Sequence, residues 1–163
     1  MSTKPDPILT QIEDKMYDLI KTMQLGTYNF RWNTVNEQDM AKSTFPQALI
    51  YLENESNLDE RDGTWGQAYF NECTFRIEVR PELDKEYTNP VSQINREFNL
   101  ALDDFKQLFG RNWNLVGASD TIMYTGSTRE YEVSNDIFIP GKLITTWLVR
   151  YEQDRFEPTT VCQ

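Results

Sequence analysis

The chain has 163 residues, of which 39% are hydrophobic and 13% aromatic, and this composition indicates one globular domain over residues 1–163. The formal net charge of −10 disfavours nucleic acid as a ligand of the whole surface, because an acidic surface repels phosphate. Histidine is absent, so the commonest general base and metal ligand is missing, and this makes an enzyme less expected.

The chain gives no sign of membrane insertion or secretion. No apolar run approaches the roughly 20 residues needed to span a bilayer, and the opening MSTKPDP lacks a signal-peptide pattern. The two cysteines are too few for a disulfide framework. We expect Cys73 to be a buried thiol within a strand and Cys162 to be exposed in a polar tail.

The first predicted element is an amphipathic helix over residues 8–23, preceded by a flexible N-terminus at residues 1–6. Asp6 is the expected cap, Pro7 suits the first helical position, and Gly26 suits the helix end. The apolar residues at helical spacing are Ile8, Ile12, Met16, Leu19, Ile20 and Met23.

Three strands are expected next, over residues 27–35, 47–53 and 67–80. The first alternates aromatic with polar side chains, which is the period of a half-buried strand. The second is apolar on both faces, and the third alternates apolar with charged side chains along its length.

The second helix is predicted over residues 90–109, with Asn89 as its cap, Pro90 at its start and Gly110 after its end. Its apolar stripe comprises Val91, Ile94, Phe98, Ala101, Leu102, Phe105, Leu108 and Phe109. Further strands are expected over residues 121–126, 129–139 and 142–152, followed by a polar, irregular C-terminal tail at residues 153–163.

This order of elements predicts an α+β fold, in which an antiparallel or mixed β-sheet carries the two amphipathic helices on one face. The side chains predicted to form the core are Ile12, Tyr28, Phe30, Trp32, Ile50, Phe75, Ile77, Ile94, Phe98, Leu102, Phe105, Trp147 and Val149. The alternative for Tyr28, Phe30 and Trp32, a platform on which single-stranded nucleic acid stacks, is disfavoured by the net charge.

No motif in the sequence predicts a catalytic, cofactor or metal site. The chain contains no P-loop, no GxGxxG, no GxSxG and no CxxC pair. Asp103 and Asp104 are adjacent, but we expect both on the solvated side of the second helix, since neighbouring helical residues do not converge on one point.

The acidic connection between the second and third strands is the most unusual stretch. Its candidate interface residues are Glu53, Glu55, Asp59, Glu60, Arg61, Asp62 and Trp65. The carboxylates do not follow the twelve-residue spacing of a calcium loop, so a calcium site is disfavoured. Trp65 is expected either to fold back on the core or to anchor an interface. We interpret the connection as a loop that contacts another molecule.

From about Ile8 to Glu152, the chain resembles the tail terminator, or tail completion, proteins of long-tailed bacteriophages. The resemblance lies in a leading helix and a strand, then FPQALIYLE, a variable loop, CTFRIEVRPE, the long helix NPVSQINREFNLALDDFKQLF and the final strand LITTWLVRYE. It rests on the order and length of these elements.

The resemblance implies a structural virion protein of the tail–neck junction, which is not an enzyme and needs no cofactor. Such proteins form a homo-oligomeric ring, usually a hexamer, that caps the tail tube protein, ends its polymerisation and docks the head-side neck or connector protein. DNA passes through the ring lumen without specific binding, and assembly takes place in the host cytoplasm with no membrane partner. The acidic loop would then reach toward the lumen or a neighbouring ring.

Two alternatives stay open. The first is another phage head–tail joining or head-closure neck protein of similar size. The second, from another class, is a small monomeric enzyme or ligand-binding module that uses carboxylates. A strict monomer with a deep polar pocket would favour this second alternative.

Overall fold

Five strands form one mixed sheet in the order β1-β2-β3-β5-β4 in the computed structural model, which describes residues 6–23, 33–34, 47–58, 68–80, 90–115, 121–134 and 137–154. The elements are α1 (Ile8–Thr22), β1 (Asn33–Thr34), β2 (Gln47–Asn57), β3 (Ala68–Arg80), α2 (Pro90–Arg111), β4 (Thr121–Ser134) and β5 (Ile137–Asp154). The pairs β2–β3, β3–β5 and β5–β4 are antiparallel, while β1 runs parallel to β2. The predicted α+β class is therefore confirmed, with a mixed sheet.

Helix α1 lies where its apolar spacing predicts, but its start differs from the prediction. Pro7 occupies the cap position and no side chain caps the helix, so the predictions for Asp6 and Pro7 are wrong. The backbone carbonyl of Asp6 instead accepts a 2.7 Å hydrogen bond from the Gln11 side-chain amide. Gly26 lies outside the described residues.

Helix α2 runs through the position at which it was predicted to end. Gly110 lies inside the helix, and the side chain of Asn112 closes it by donating a 2.8 Å hydrogen bond to the Leu108 carbonyl. Asp104 is only 1% exposed, so its predicted place on the solvated side is wrong. Asp104 lies four residues before Leu108, and this helical spacing puts both on the buried stripe. Asp103 is exposed, as predicted.

Three strands, β2, β4 and β5, are longer than their predicted bounds, whereas β3 matches its prediction to within one residue. β2 continues to Asn57, and the two predicted strands over 121–126 and 129–139 are wrong, because β4 is continuous and β5 begins at Ile137. Register shifts at Thr125 and Tyr131 interrupt the regular alternation of β4. The tail prediction is wrong for residues 153–154, which end β5, and residues 155–163 lie outside the described part.

One hydrophobic cluster joins both helices to one face of the sheet. Trp147 lies at its centre, with its ring 4.6 Å from Phe109 and 5.3 Å from Tyr124 between centroids. The prediction of a buried core position is confirmed for Ile12, Phe75, Ile77, Ile94, Phe98, Phe105, Trp147 and Val149. Ile50 and Leu102 pack against the cluster but are partly buried. The predictions for Tyr28, Phe30 and Trp32 fall outside the described residues.

Candidate functional site

The acidic stretch that follows Leu52 begins inside the sheet. Glu53 ends the strand predicted over residues 47–53 and lies in β2, and Glu55 also belongs to β2, so the prediction that Glu55 lies in a loop is wrong. Strand-like pairing continues to Leu58, whose backbone N–H donates a 2.8 Å hydrogen bond to the Phe70 carbonyl. The remaining predicted interface residues lie outside the described part of the chain: Asp59, Glu60, Arg61, Asp62 and Trp65.

A β-bulge at Glu53 decides which face of the sheet Glu55 occupies. Leu52 pairs with Phe75 and Asn54 with Thr74, which leaves Glu53 as the extra residue. Side chains alternate between faces along a strand, so one extra residue moves every later side chain to the other face. Glu55 consequently pairs with Cys73, on the face that carries the core.

Glu55 belongs to a polar group on the core face, at the end of the sheet where β2 leads into its connection to β3. We call this group the Glu55–Tyr151 cluster, and its members are Glu55, Asn71, Cys73, Tyr151 and Gln153. The buried Tyr151 hydroxyl donates a hydrogen bond to the Glu55 carboxylate. The Asn71 side-chain amide donates a 3.2 Å hydrogen bond to the side-chain oxygen of Gln153. Strands β2, β3 and β5 are thus linked by side chains as well as by backbone.

The surroundings in this cluster keep the Cys73 thiol and the Tyr151 hydroxyl protonated. Burial, reinforced by the nearby Glu55 and Glu72 carboxylates, raises the pKa of the Cys73 thiol from 9.0 to about 12. Burial and the hydrogen bond to Glu55 also raise the pKa of Tyr151. A nucleophilic cysteine needs its thiolate form, so Cys73 is inert at neutral pH. The prediction that Cys73 is a buried thiol is confirmed, and Cys162 lies outside the described residues.

The opposite face of the sheet carries a network of ion pairs, which we call the charged network. Its members are Glu53, Arg76, Glu78, Arg80, Glu130 and Lys142. Glu78 is its centre and is only 5% exposed, with Arg76 at 3.5 Å and Arg80 and Lys142 each at 3.7 Å. Three cations and three carboxylates leave the network neutral.

The outer ends of this network reach neighbouring strands. Arg76 lies 3.4 Å from Glu53 on β2, and Lys142 lies 3.2 Å from Glu130 on β4. A separate pair, Arg150 and Glu72, bridges β5 and β3 at 3.0 Å. Opposite charges on adjacent strands stabilise a sheet, each by a fraction of a kcal/mol when solvated. Ion pairs therefore brace this face across four strands.

Sequence reasoning missed the two groups that organise this region, Tyr151 and Glu78. The alternation of Arg76, Glu78 and Arg80 along β3 was a usable signal, because it puts three charges on one face of a strand. Nothing in the sequence marks the contact between Tyr151 and Glu55, since it depends on the bulge.

Two further findings, on metal binding and on membrane insertion, apply to the described residues. Its residues contain no group of three or more Cys, Asp and Glu side chains placed to hold a metal ion. None of its helices is long and apolar enough to cross a bilayer.

The chain matches no protein-family model, and it matches no curated protein.

Proposed function

We propose that this chain is a structural subunit of the tail–neck junction of a long-tailed bacteriophage, a tail terminator. In this role six copies form a ring on the end of the tail tube. The ring ends polymerisation of the tube protein and provides the surface on which the head-side neck protein docks.

The observation that carries the proposal is the face of the sheet that lies opposite the two described helices. The four long strands contain 11 residues in β2, 13 in β3, 14 in β4 and 18 in β5. At about 3.3 Å per residue, β3 alone extends about 40 Å. The charged network braces this face, and its centre, Glu78, is buried under three cations. A long, rigid and internally neutralised plate suits a subunit that transmits contacts between neighbours.

The charge of the whole chain supports the same role. A ring through which DNA moves must avoid tight phosphate contacts, and like charge prevents them. Six subunits of −10 each would surround the lumen with negative potential. The resemblance in element order, from the leading helix to the final long strand, adds to this argument.

The alternative from another class, a carboxylate-using enzyme or binding module, depends on one observation. Glu55 is exposed and its carboxylate accepts the hydrogen bond of the buried Tyr151 hydroxyl. A carboxylate held by a neutral donor is a common arrangement for acid–base chemistry. This alternative requires that the monomer be active by itself. Glu55→Gln would then abolish the activity and leave any self-association unchanged.

Electron microscopy of growing tail tubes tests the proposal. The purified protein is added to tube subunits during polymerisation, and tubes polymerised without it are the control. We expect tubes of limited length with a ring at one end, and a capping particle of about 115 kDa, six times the 19.2 kDa subunit. Tubes of unrestricted length with bare ends would overturn the proposal.

The acidic connection can be tested separately without disturbing β2. Deletion of residues 54–64 would remove paired residues of the strand, including Glu55. The triple variant Asp59→Asn, Glu60→Gln and Asp62→Asn keeps the length of the chain and removes three charges. We expect it to fold normally but to lose docking to the head-side neck protein, measured by co-sedimentation. Unchanged docking would show that these charges contact nothing essential.

A further inference from the structure

The β4 strand forms an edge of the sheet with little protection against pairing. Among the described residues it pairs only with β5. Edge strands are commonly protected by charged side chains or proline. The first eight residues of β4, Thr121–Thr128, contain neither. In the described part of the chain, nothing pairs with the outer side of this half of the edge, and it carries no charge to repel another strand.

Exposed apolar side chains lie on or near β4, with Met123 on the face of the sheet away from α2 and Tyr131 on the face that α2 covers. The described part of the chain has four large hydrophobic side chains that are exposed, and only Phe70 is not on β4 or next to α2. Met123 and Tyr131 on β4 are 37% and 40% exposed, and Trp113, just after α2, is 56% exposed. Helix α2 lies over β4, since Lys106 is 4.4 Å from the ring centre of Tyr124.

Trp113 lies in a turn whose backbone is fixed by the residues on either side of it. Leu115 is fully buried and has φ 45°, and its backbone N–H donates a 2.8 Å hydrogen bond to the Asn112 carbonyl. A leucine with positive φ is unfavourable, so the turn persists because the burial of Leu115 outweighs that cost. A tryptophan on a fixed backbone loses only side-chain freedom on binding, which suits an interface anchor.

We propose that the β4 edge, together with Trp113, Met123 and Tyr131, is the surface through which this chain binds a second copy of itself by strand addition. The inference rests on the proposed assembly role, because it names one of the two different surfaces that meet between neighbours in a ring. Charge identifies the occupant. Two copies of −10 repel each other, and along β4 they approach at least cost at Thr121–Thr128, which carries no charged side chain. A basic partner would instead gain from an acidic surface.

Two variants with matched controls test the contact. Thr128→Glu places a charge on the edge, and its control, Thr10→Glu, adds the same charge to the exposed side of α1. Trp113→Ala removes the anchor, and its control, Phe70→Ala, removes an exposed aromatic outside the surface. We expect both test variants to lower the association constant at least about tenfold in sedimentation velocity, with the controls within about twofold.

Circular dichroism and thermal melting would confirm that all four variants fold. An equal decrease of the association constant in the controls, or no decrease in the test variants, would overturn the inference. A wild-type chain that stays monomeric both at millimolar concentration and on tail tubes would also overturn it.

The same proteins in the tube-capping assay separate this inference from the proposed function. If the wild-type chain self-associates through this edge but leaves tubes uncapped, the inference stands and the terminator role fails. If the wild-type chain caps tubes and both test variants cap them equally well as rings, the terminator role stands and the inference fails.

Discussion

The protonation of the Cys73 thiol is decided by its position on the core face of β3. The side chain is buried among apolar neighbours, and Glu55 and Glu72 lie close enough to disfavour a second negative charge. The thiol is therefore kept in its neutral form well beyond neutral pH. Its place between strands makes it part of the core.

We predict that Cys73 makes the fold sensitive to alkali. Its pKa is 9.0 in the unfolded chain and about 12 in the folded protein, so the unfolded state loses the proton first. Stability contributed by this group is complete below pH 9 and falls as pH rises toward 12, by at most about 4 kcal/mol. Urea unfolding at several pH values should show a smaller decline for Cys73→Val. An equal decline in both proteins would contradict the assignment.

The same residue gives a second observable, thiol reactivity. In a Cys162→Ser background, the native protein at pH 8 should not react with a thiol reagent until it is unfolded. Rapid reaction in the native state would mean that Cys73 is accessible.

The contact between Tyr151 and Glu55 should be measurable as a coupling energy. Tyr151→Phe removes the donor and Glu55→Ala removes the acceptor, so a double-mutant cycle isolates the hydrogen bond. We expect a coupling of about 1–2 kcal/mol in urea unfolding, since a hydrogen bond to a charged group exceeds a neutral one. Tyr17→Phe on α1 is the control for loss of a phenol hydroxyl, and a coupling near zero would contradict the contact.

Individual core residues were predictable where periodicity alone decides burial. Phe75, Ile77 and Trp147 follow strand alternation, and that alternation places them correctly. Asp104 and Glu55 were misplaced because their surroundings oppose their residue types. A carboxylate on a helix suggests solvent, yet spacing puts Asp104 on the buried stripe, and a single extra residue in β2 turns Glu55 toward the core.

At the scale of elements, the helices were easier to predict than the strands. Both helices repeat their apolar residues over several turns, so each helix was predicted correctly even though the residues at one of its ends were not. β4 was divided in two because Gly126 and the register shifts at Thr125 and Tyr131 break its alternation. Pairing with β5 holds the strand together, and pairing between distant segments leaves no local mark in a sequence.

β4 and β5 pack closely where Gly141 lies against the backbone of Glu130, and we expect this position to tolerate no side chain. A Cβ atom built on Gly141 would lie 1.8 Å from the backbone oxygen of Glu130, whereas one on Gly126 would meet nothing within 4 Å. We predict that Gly141→Ala lowers the free energy of unfolding by about 2 kcal/mol or more, because backbone must move. Gly126→Ala, the matched control, should change it by about 0.5 kcal/mol or stabilise the fold.

Urea unfolding of the two glycine variants distinguishes close backbone approach from general loss of strand structure. Similar effects at both positions would contradict the packing assigned to Gly141.

At the scale of the whole molecule, charge sets the conditions under which copies associate. Each chain carries −10, and the charged network is already neutral within itself, so the excess of carboxylates over cations in the rest of the chain dominates the repulsion. Salt shortens the range of this repulsion from about 30 Å at 0.01 M to about 10 Å at 0.1 M.

Self-association should therefore strengthen with salt. We predict that the association constant rises severalfold between 0.01 M and 0.1 M sodium chloride, measured by sedimentation velocity. Stability of the monomer should change little over the same range, which serves as the control. A constant that falls with salt would mean that complementary ion pairs, rather than an uncharged edge, join the copies.

The place of β3 in the sheet has a consequence for how the chain acquires its structure. β3 lies between β2, which precedes it directly, and β5, which is far along the sequence: Asn71 and Gln153, whose side chains share a hydrogen bond, are 82 positions apart. Pairings of such long range form slowly. During synthesis, the apolar face and open edge of β3 must wait for β5 to emerge from the ribosome. Until then the nascent chain exposes the surfaces on which unfinished proteins aggregate.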